Sequence, residues 1–166
     1  MLLQKIHHIA IIASDYQKSK EFYVNKLGFE VIRENYRPAR DDYKLDLRLG
    51  DCELELFGIS GSPKRPSYPE ACGLRHLAFA VDDIETAVQN LLEIGIHCEP
   101  IRMDEFTGKR MTFFFDPDNL PLELHEEYPD IFNIISLYRR KKEIGFIFYS
   151  RSGTFLHRHK YAHKLH

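Results

Sequence analysis

The chain repeats itself at an interval of 68 residues, and this constrains its fold more than any other feature. Ile6-His7-His8-Ile9-Ala10-Ile11 returns as Leu74-Arg75-His76-Leu77-Ala78-Phe79, Asp15 as Asp83, and Leu54-Glu55-Leu56 as Leu122-Glu123-Leu124. Each half therefore holds a histidine followed 47 residues later by a glutamate: His8 with Glu55, and His76 with Glu123. One such pair would mean little. Two pairs inside matching apolar frames indicate a duplicated unit.

Local patterns support the duplication. Lys5 to Ala13 is apolar and β-branched, as a mostly buried strand should be. Ser14 or Asp15 can cap a helix running through Phe22, Tyr23 and Leu27, with Tyr16, Phe22 and Tyr23 holding it on its sheet and Gly28 ending it. The second half repeats this grammar. Leu74 to Val81 reads as a strand and Asp82 or Asp83 as a cap. Ile84, Ala87, Val88, Leu91 and Leu92 follow at helical spacing, closed by Gly95. Three short strands are expected after each helix. In the first half they fall near Phe29 to Glu34, Tyr43 to Leu49 and Cys52 to Phe57; in the second, near His97 to Met103, Arg110 to Phe115 and Leu120 to Glu126. The reading is α+β: two βαβββ modules, about 3–60 and 73–127, each too small to be comfortable alone and therefore paired. The Gly-, Pro- and Ser-rich stretch of about 58–73 is the linker.

The formal charge of −2 over 166 residues hides a split. From Tyr128 onward eight basic residues face two acidic ones (+6), which leaves fifteen basic against twenty-three acidic (−8) before it. A single domain over 1–127 followed by a basic extension over 128–166 is the expected organisation. Such a balance argues against nucleic acid as a partner. No apolar run approaches the ~18 residues of a membrane span, and Lys5, His7 and His8 interrupt any signal-peptide core. Cys52, Cys72 and Cys98 lack metal-type spacing and read as buried apolar fillers in a reducing, cytoplasmic setting. The extension fits a packing or interaction role better than catalysis, and His157, His159, His163 and His166 in it can capture metal adventitiously.

Strand alternation orients the four special residues. Glu55 points away from Leu54 and Leu56, and Glu123 away from Leu122 and Leu124. His8 shares a face with Ala10 and Ile12, His76 with Ala78 and Ala80, and the small alanines leave room beside each imidazole. Taken singly, a strand histidine is more often a hydrogen-bonded core residue, and a glutamate between leucines more often sits on a solvated face. Taken jointly, and if the halves pair about a pseudo-twofold axis, two histidines and two glutamates converge into a set suited to a divalent first-row metal.

These residues carry a family resemblance. The chain resembles the vicinal oxygen chelate superfamily, which includes glyoxalase I, fosfomycin thiol transferases, bleomycin-binding proteins and extradiol dioxygenases. The matching segments are His8-Ile9-Ala10-Ile11, Phe22-Tyr23, Leu27-Gly28-Phe29, Leu54-Glu55-Leu56-Phe57, Gly73 through Asp82, Phe115-Asp116-Pro117-Asp118 and Leu122-Glu123-Leu124, covering about residues 3–127. More narrowly, Tyr36-Arg37, Ala39-Arg40-Asp41 and Gly108-Lys109-Arg110 resemble small bacterial glyoxalase-like proteins. The resemblance implies a curved, half-barrel mixed sheet around a metal cleft, with His8, Glu55, His76 and Glu123 as ligands of one divalent ion. Ni²⁺, Zn²⁺, Co²⁺ and Mn²⁺ all suit that set.

Such an ion binds two neighbouring substrate oxygens and holds the charge that develops on them. A carboxylate alongside then makes proton abstraction next to a carbonyl accessible. The implied function is glyoxalase I-like isomerisation, a lyase reaction on a 2-oxoaldehyde–thiol adduct, with Glu123 the first choice of base and Glu55 the second. Glutathione-using relatives carry an arginine four residues after the first histidine; here Ile12 and, in the second half, Ala80 stand there, which counts against a glutathione adduct. The alternatives are a thiol transferase, an extradiol dioxygenase, or a metal-free drug- or metabolite-binding module, whose function would not require all four ligand positions to be filled. Arg37, Arg40 and Arg110 are candidate anchors for an anionic substrate, since arginine offers two-pronged recognition, whereas Arg75 reads as an ion-pair residue. A homodimer is the expected assembly, with a small molecule as the other partner.

Overall fold

The computed structural model describes residues 2–66 and 68–127. Met1–Glu127 form one compact unit; the expectations for 128–166 fall outside the described residues. Strand β1 (His8–Ala13) leads into helix α1 (Tyr16–Lys20) and a π-helical continuation (Glu21–Lys26), then β2 (Glu30–Arg37), β3 (Asp42–Leu49) and β4 (Cys52–Gly58). The second module follows as β5 (Leu77–Val81), α2 (Ile84–Glu93), β6 (Arg102–Met103), β7 (Arg110–Phe115) and β8 (Pro121–Glu126). The βαβββ order is thus present twice.

Both helices start as the sequence suggests. Asp15 accepts from the Lys18 amide and Asp83 from the Thr86 amide, each satisfying an N–H with no partner inside the helix. Gly28, at φ +75°, takes the left-handed conformation that turns the chain out of the π segment. Gly58 serves differently: a Cβ there would lie 2.6 Å from the Tyr16 Cβ, so only glycine lets the start of α1 close onto β4.

The sheets differ from expectation. There is no half-barrel. Instead there are two separate four-stranded sheets, ordered β1-β4-β3-β2 and β5-β8-β7-β6, each with two free ends. In each sheet the first strand pairs in parallel with the fourth, and the remaining pairs are antiparallel. The half-barrel would require a backbone ladder from one module to the other. Here the modules join through side chains: Phe22 against Phe114, Phe29 against Phe79, and Tyr23 donating to Asp116 at 3.0 Å. The Ser14 amide also donates to Asp118, at 2.9 Å. Strand β6 is two residues long rather than the expected seven, because Pro100 has no amide to offer β7 and only Glu99 donates there, to Phe113 at 2.7 Å. Cys52 and Cys72 are exposed, contrary to expectation, and only Cys98 is part-buried, packed against the core, where burial pushes its thiol pKa up.

The core lies between the modules. It gathers Phe22, Tyr23, Phe29, Leu45, Leu47, Leu54 and Leu56 from the first with Ile84, Phe114, Leu122 and Leu124 from the second. Tyr23 is fully buried. Burial first, then the charge of Asp116, raises its phenol far above the ordinary value of 10. A raised folded-state pKa contributes stability that is fully present below pH 10 and is lost as pH rises above it, because the unfolded chain releases the proton and the folded chain retains it. Above that point the parent should lose about 1.4 kcal/mol per pH unit through this residue. Urea unfolding followed by circular dichroism from about pH 9 to about pH 11.5 should show a shallower decline in Tyr23→Phe than in the parent; parallel declines would remove Tyr23 as the cause.

Candidate functional site

The two histidine–glutamate pairs occupy equivalent rungs. In the first sheet Ala10 is in register with Glu55, and in the second Ala78 is in register with Glu123. His8 Nε2 lies 3.6 Å from Glu55 Oε2, and His76 Nε2 lies 3.0 Å from Glu123 Oε2. Each pair stands on the sheet face opposite the leucines that enter the core, as alternation requires. The pairs do not meet. Among the described residues, no three of His8, Glu55, His76 and Glu123 bring ligand atoms within 4.8 Å of one another.

Their surroundings differ. Asp46 is in register with Glu55, and Lys44 Nζ bridges the two, 2.6 Å from Glu55 Oε1 and 2.8 Å from Asp46 Oδ1. Arg33 binds the other Asp46 oxygen at 2.6–2.7 Å. Burial pushes the Asp46 carboxyl up, but Lys44 and Arg33 outweigh it and hold it below the usual carboxylate range. The same contacts, with Asp46 ahead of Glu55, hold the Lys44 ammonium above its ordinary value. In the second module Phe113 is in register with Glu123 and meets His76 edge-on at 5.4 Å. Glu123 is 6% exposed, a burial that a carboxylate tolerates only with compensation. Two imidazoles and two carboxylates on the sheet faces away from the core are a donor set whose chemistry suits a divalent ion.

The arginines divide. Arg37 binds Asp42 through two bonds of 2.6 Å and lies over Phe57 at 4.9 Å. Arg40 is exposed in the turn after β2, its amide bonded to the Arg37 carbonyl at 3.0 Å. Arg110 shares parity with the buried Thr112 and Phe114, so it occupies the face opposite Phe113 and Glu123. There it donates to Glu126 and Glu85. Arg75 pairs with Glu70 at 2.7 Å, as its sequence context suggests.

Asp83, Glu85 and Glu126 form a candidate acidic metal-chelating cluster that sequence reasoning missed. Its donors already have partners: Glu126 also accepts from the Ile84 amide at 3.3 Å, Asp83 caps α2, and Arg110 holds Glu85 and Glu126 together. Arg110→Met is therefore expected to lower the thermal unfolding midpoint by stranding buried Glu126, and adding Glu126→Gln should recover most of the loss. Equal midpoints in parent and Arg110→Met would show that the ion pair contributes nothing. Lys44, Asp46 and Arg33 also escaped sequence reasoning, although the alternation Lys44-Leu45-Asp46-Leu47 already puts both charges on the Glu55 side.

Residues 5–124 match the glyoxalase/bleomycin resistance protein/dioxygenase superfamily. The chain belongs to that superfamily. It is 63% identical over 128 residues to an uncharacterized protein, YwkD, of Bacillus subtilis, covering 76% of this chain and all of that one. The crystal structure of a glyoxalase family protein from Enterococcus faecalis superposes with a TM-score of 0.73 at 64% identity, covering 76% of this chain and all of the other. More distantly, bovine mitochondrial methylmalonyl-CoA epimerase is 29% identical over 114 residues, covering 60% of this chain and 65% of that protein. No described helix is long and apolar enough to cross a membrane.

Proposed function

We propose that the protein is a divalent-metal-dependent, glyoxalase I-like lyase that isomerises a 2-oxoaldehyde–thiol adduct, or a related small substrate with two neighbouring oxygens, by proton transfer. The observation that carries this reading is the pair of equivalent rungs, His8–Glu55 beside Ala10 and His76–Glu123 beside Ala78. All four residues are the proposed ligands. Because the two pairs do not meet within one chain, the site is completed between two copies of it, His8 and Glu55 coming from one and His76 and Glu123 from the other.

The bound ion would supply charge stabilisation at the two substrate oxygens. The chain's own residues do the rest. Lys44 occupies Oε1 of Glu55, leaving Oε2 toward His8, so Glu55 is a fixed ligand. The Glu123 carboxylate takes the proton from the carbon bearing sulfur and returns it to the neighbouring carbon, the hydroxyl proton passing from the oxygen of the first carbon to that of the second, while Phe113 keeps water from that side. The 29% identity to methylmalonyl-CoA epimerase supports a second reading, in which the same carboxylate moves a proton next to a thioester carbonyl.

Elemental analysis of the full chain, with Glu55→Gln and His76→Ala beside it, tests the site. Histidines of the extension are common to all three proteins, so the difference reports the four ligands alone. About one ion per chain should disappear in both variants. A parent that gains no ion over either variant after exposure to Ni²⁺, Co²⁺, Mn²⁺ and Zn²⁺ would favour a metal-free binding module.

A further inference from the structure

We infer that the cavity beside His76 is an anion subsite that takes a compact carboxylate or phosphate group of the substrate; assigning that group to the substrate rests on the function proposed above. The cavity holds about 190 Å³ and is lined by Arg65, Arg75 and Arg102 together with His76, Phe113 and Tyr68. Three guanidinium groups and two carboxylates, Glu70 and Glu99, line it, and the Glu123 carboxylate paired with His76 acts on Arg75 from beside it. Glu70 is taken by Arg75 at 2.7 Å, and Glu99 reaches Arg102 only at 3.4 Å. Arg65 has no carboxylate partner among the described residues. Its bonds go to the carbonyl oxygens of Leu74 and Arg75, the latter at 2.9 Å, and its buried Nε has no hydrogen-bond partner among the described residues.

A part-buried guanidinium with only neutral acceptors has given up hydration without gaining a counter-charge, and an entering anion supplies one. The carbonyl bonds also fix the orientation of Arg65 beforehand, so little freedom is lost on binding. The wall leads toward the proposed chemistry. Arg102 lies over the Phe113 ring at 5.3 Å, and that ring meets the His76 imidazole at 5.4 Å. An anion held by Arg102 therefore stands one aromatic ring away from the histidine paired with Glu123.

Calorimetric titration of inorganic phosphate and of malonate into the full-length, EDTA-stripped protein at low ionic strength tests this, with uncharged malonamide as control. Both anions should bind saturably and malonamide should not. The tighter of the two identifies the arm as phosphoryl or carboxyl. Arg65→Gln and Arg102→Gln should each weaken binding at least about ten-fold. Arg102 lies on the exposed β6, so its variant reads the subsite even if Arg65→Gln disturbs the linker. Absence of saturation in the parent, or equal affinity in parent and Arg102→Gln, would overturn the inference. Failure of the metal site would look different, since anion binding would persist in a parent that takes up no ion.

Discussion

Glu123→Gln should lower turnover of a 2-oxoaldehyde–thiol adduct about 10²- to 10⁴-fold, the contribution of a positioned general base. Glu55→Gln should act first through weaker ion binding. The asymmetry comes from the two neighbourhoods. Glu55 has the Lys44 ammonium at 2.6 Å on one oxygen, which ties it to Asp46 and through it to Arg33. Glu123 meets an imidazole at 3.0 Å and the ring face of the second sheet, with no ammonium bridging it to a neighbour. A carboxylate that must swing between ligation and proton transfer needs the freer of these settings. Exchange of solvent deuterium into the substrate carbon separates the roles, because it reads proton abstraction directly. Glu123→Gln loaded with its ion should abolish exchange, and Glu55→Gln should retain it in proportion to the ion it binds. Equal loss of exchange per bound ion in the two variants would leave neither carboxylate as the sole base.

Much of this arrangement is legible in the chain because a repeat and a strand period are local properties. The 68-residue spacing marks the two halves as equivalent, and the structure repeats one register in both: Glu55 opposite Ala10, Glu123 opposite Ala78. Asp15 and Asp83 as caps follow from residue chemistry alone. Parity fixes which way a side chain points within its sheet but is silent on which sheet face meets which. That is why four residues with the right identities can stand on two sheets without converging, and why one half-barrel was expected where two open sheets exist. Arg110 is a different case. Its parity with Thr112 and Phe114 already turns it from the Glu123 face, yet its place in a family-like segment suggested substrate binding. The π-helical segment Glu21–Lys26 and the exposure of Cys52 and Cys72 depend on contacts that no local pattern encodes.

Mixing two inactive variants should restore activity if each site draws one pair from each of two copies. His8→Ala damages one contributor and His76→Ala the other, so each homodimer has no intact site. In a heterodimer the lesions segregate: one site receives both and the other receives neither. Random exchange makes half of the dimers heterodimers with one intact site in two, so about one quarter of parental activity should return at a 1:1 ratio. The recovery should follow the product of the two mole fractions and vanish at either extreme. It should also need subunit exchange, appearing slowly after mixing or at once after co-refolding. The lack of any three-ligand grouping among the four residues within one chain is what makes this result the expected one. Sites built within a single chain would give no recovery at any ratio, because every chain in the mixture carries its own lesion.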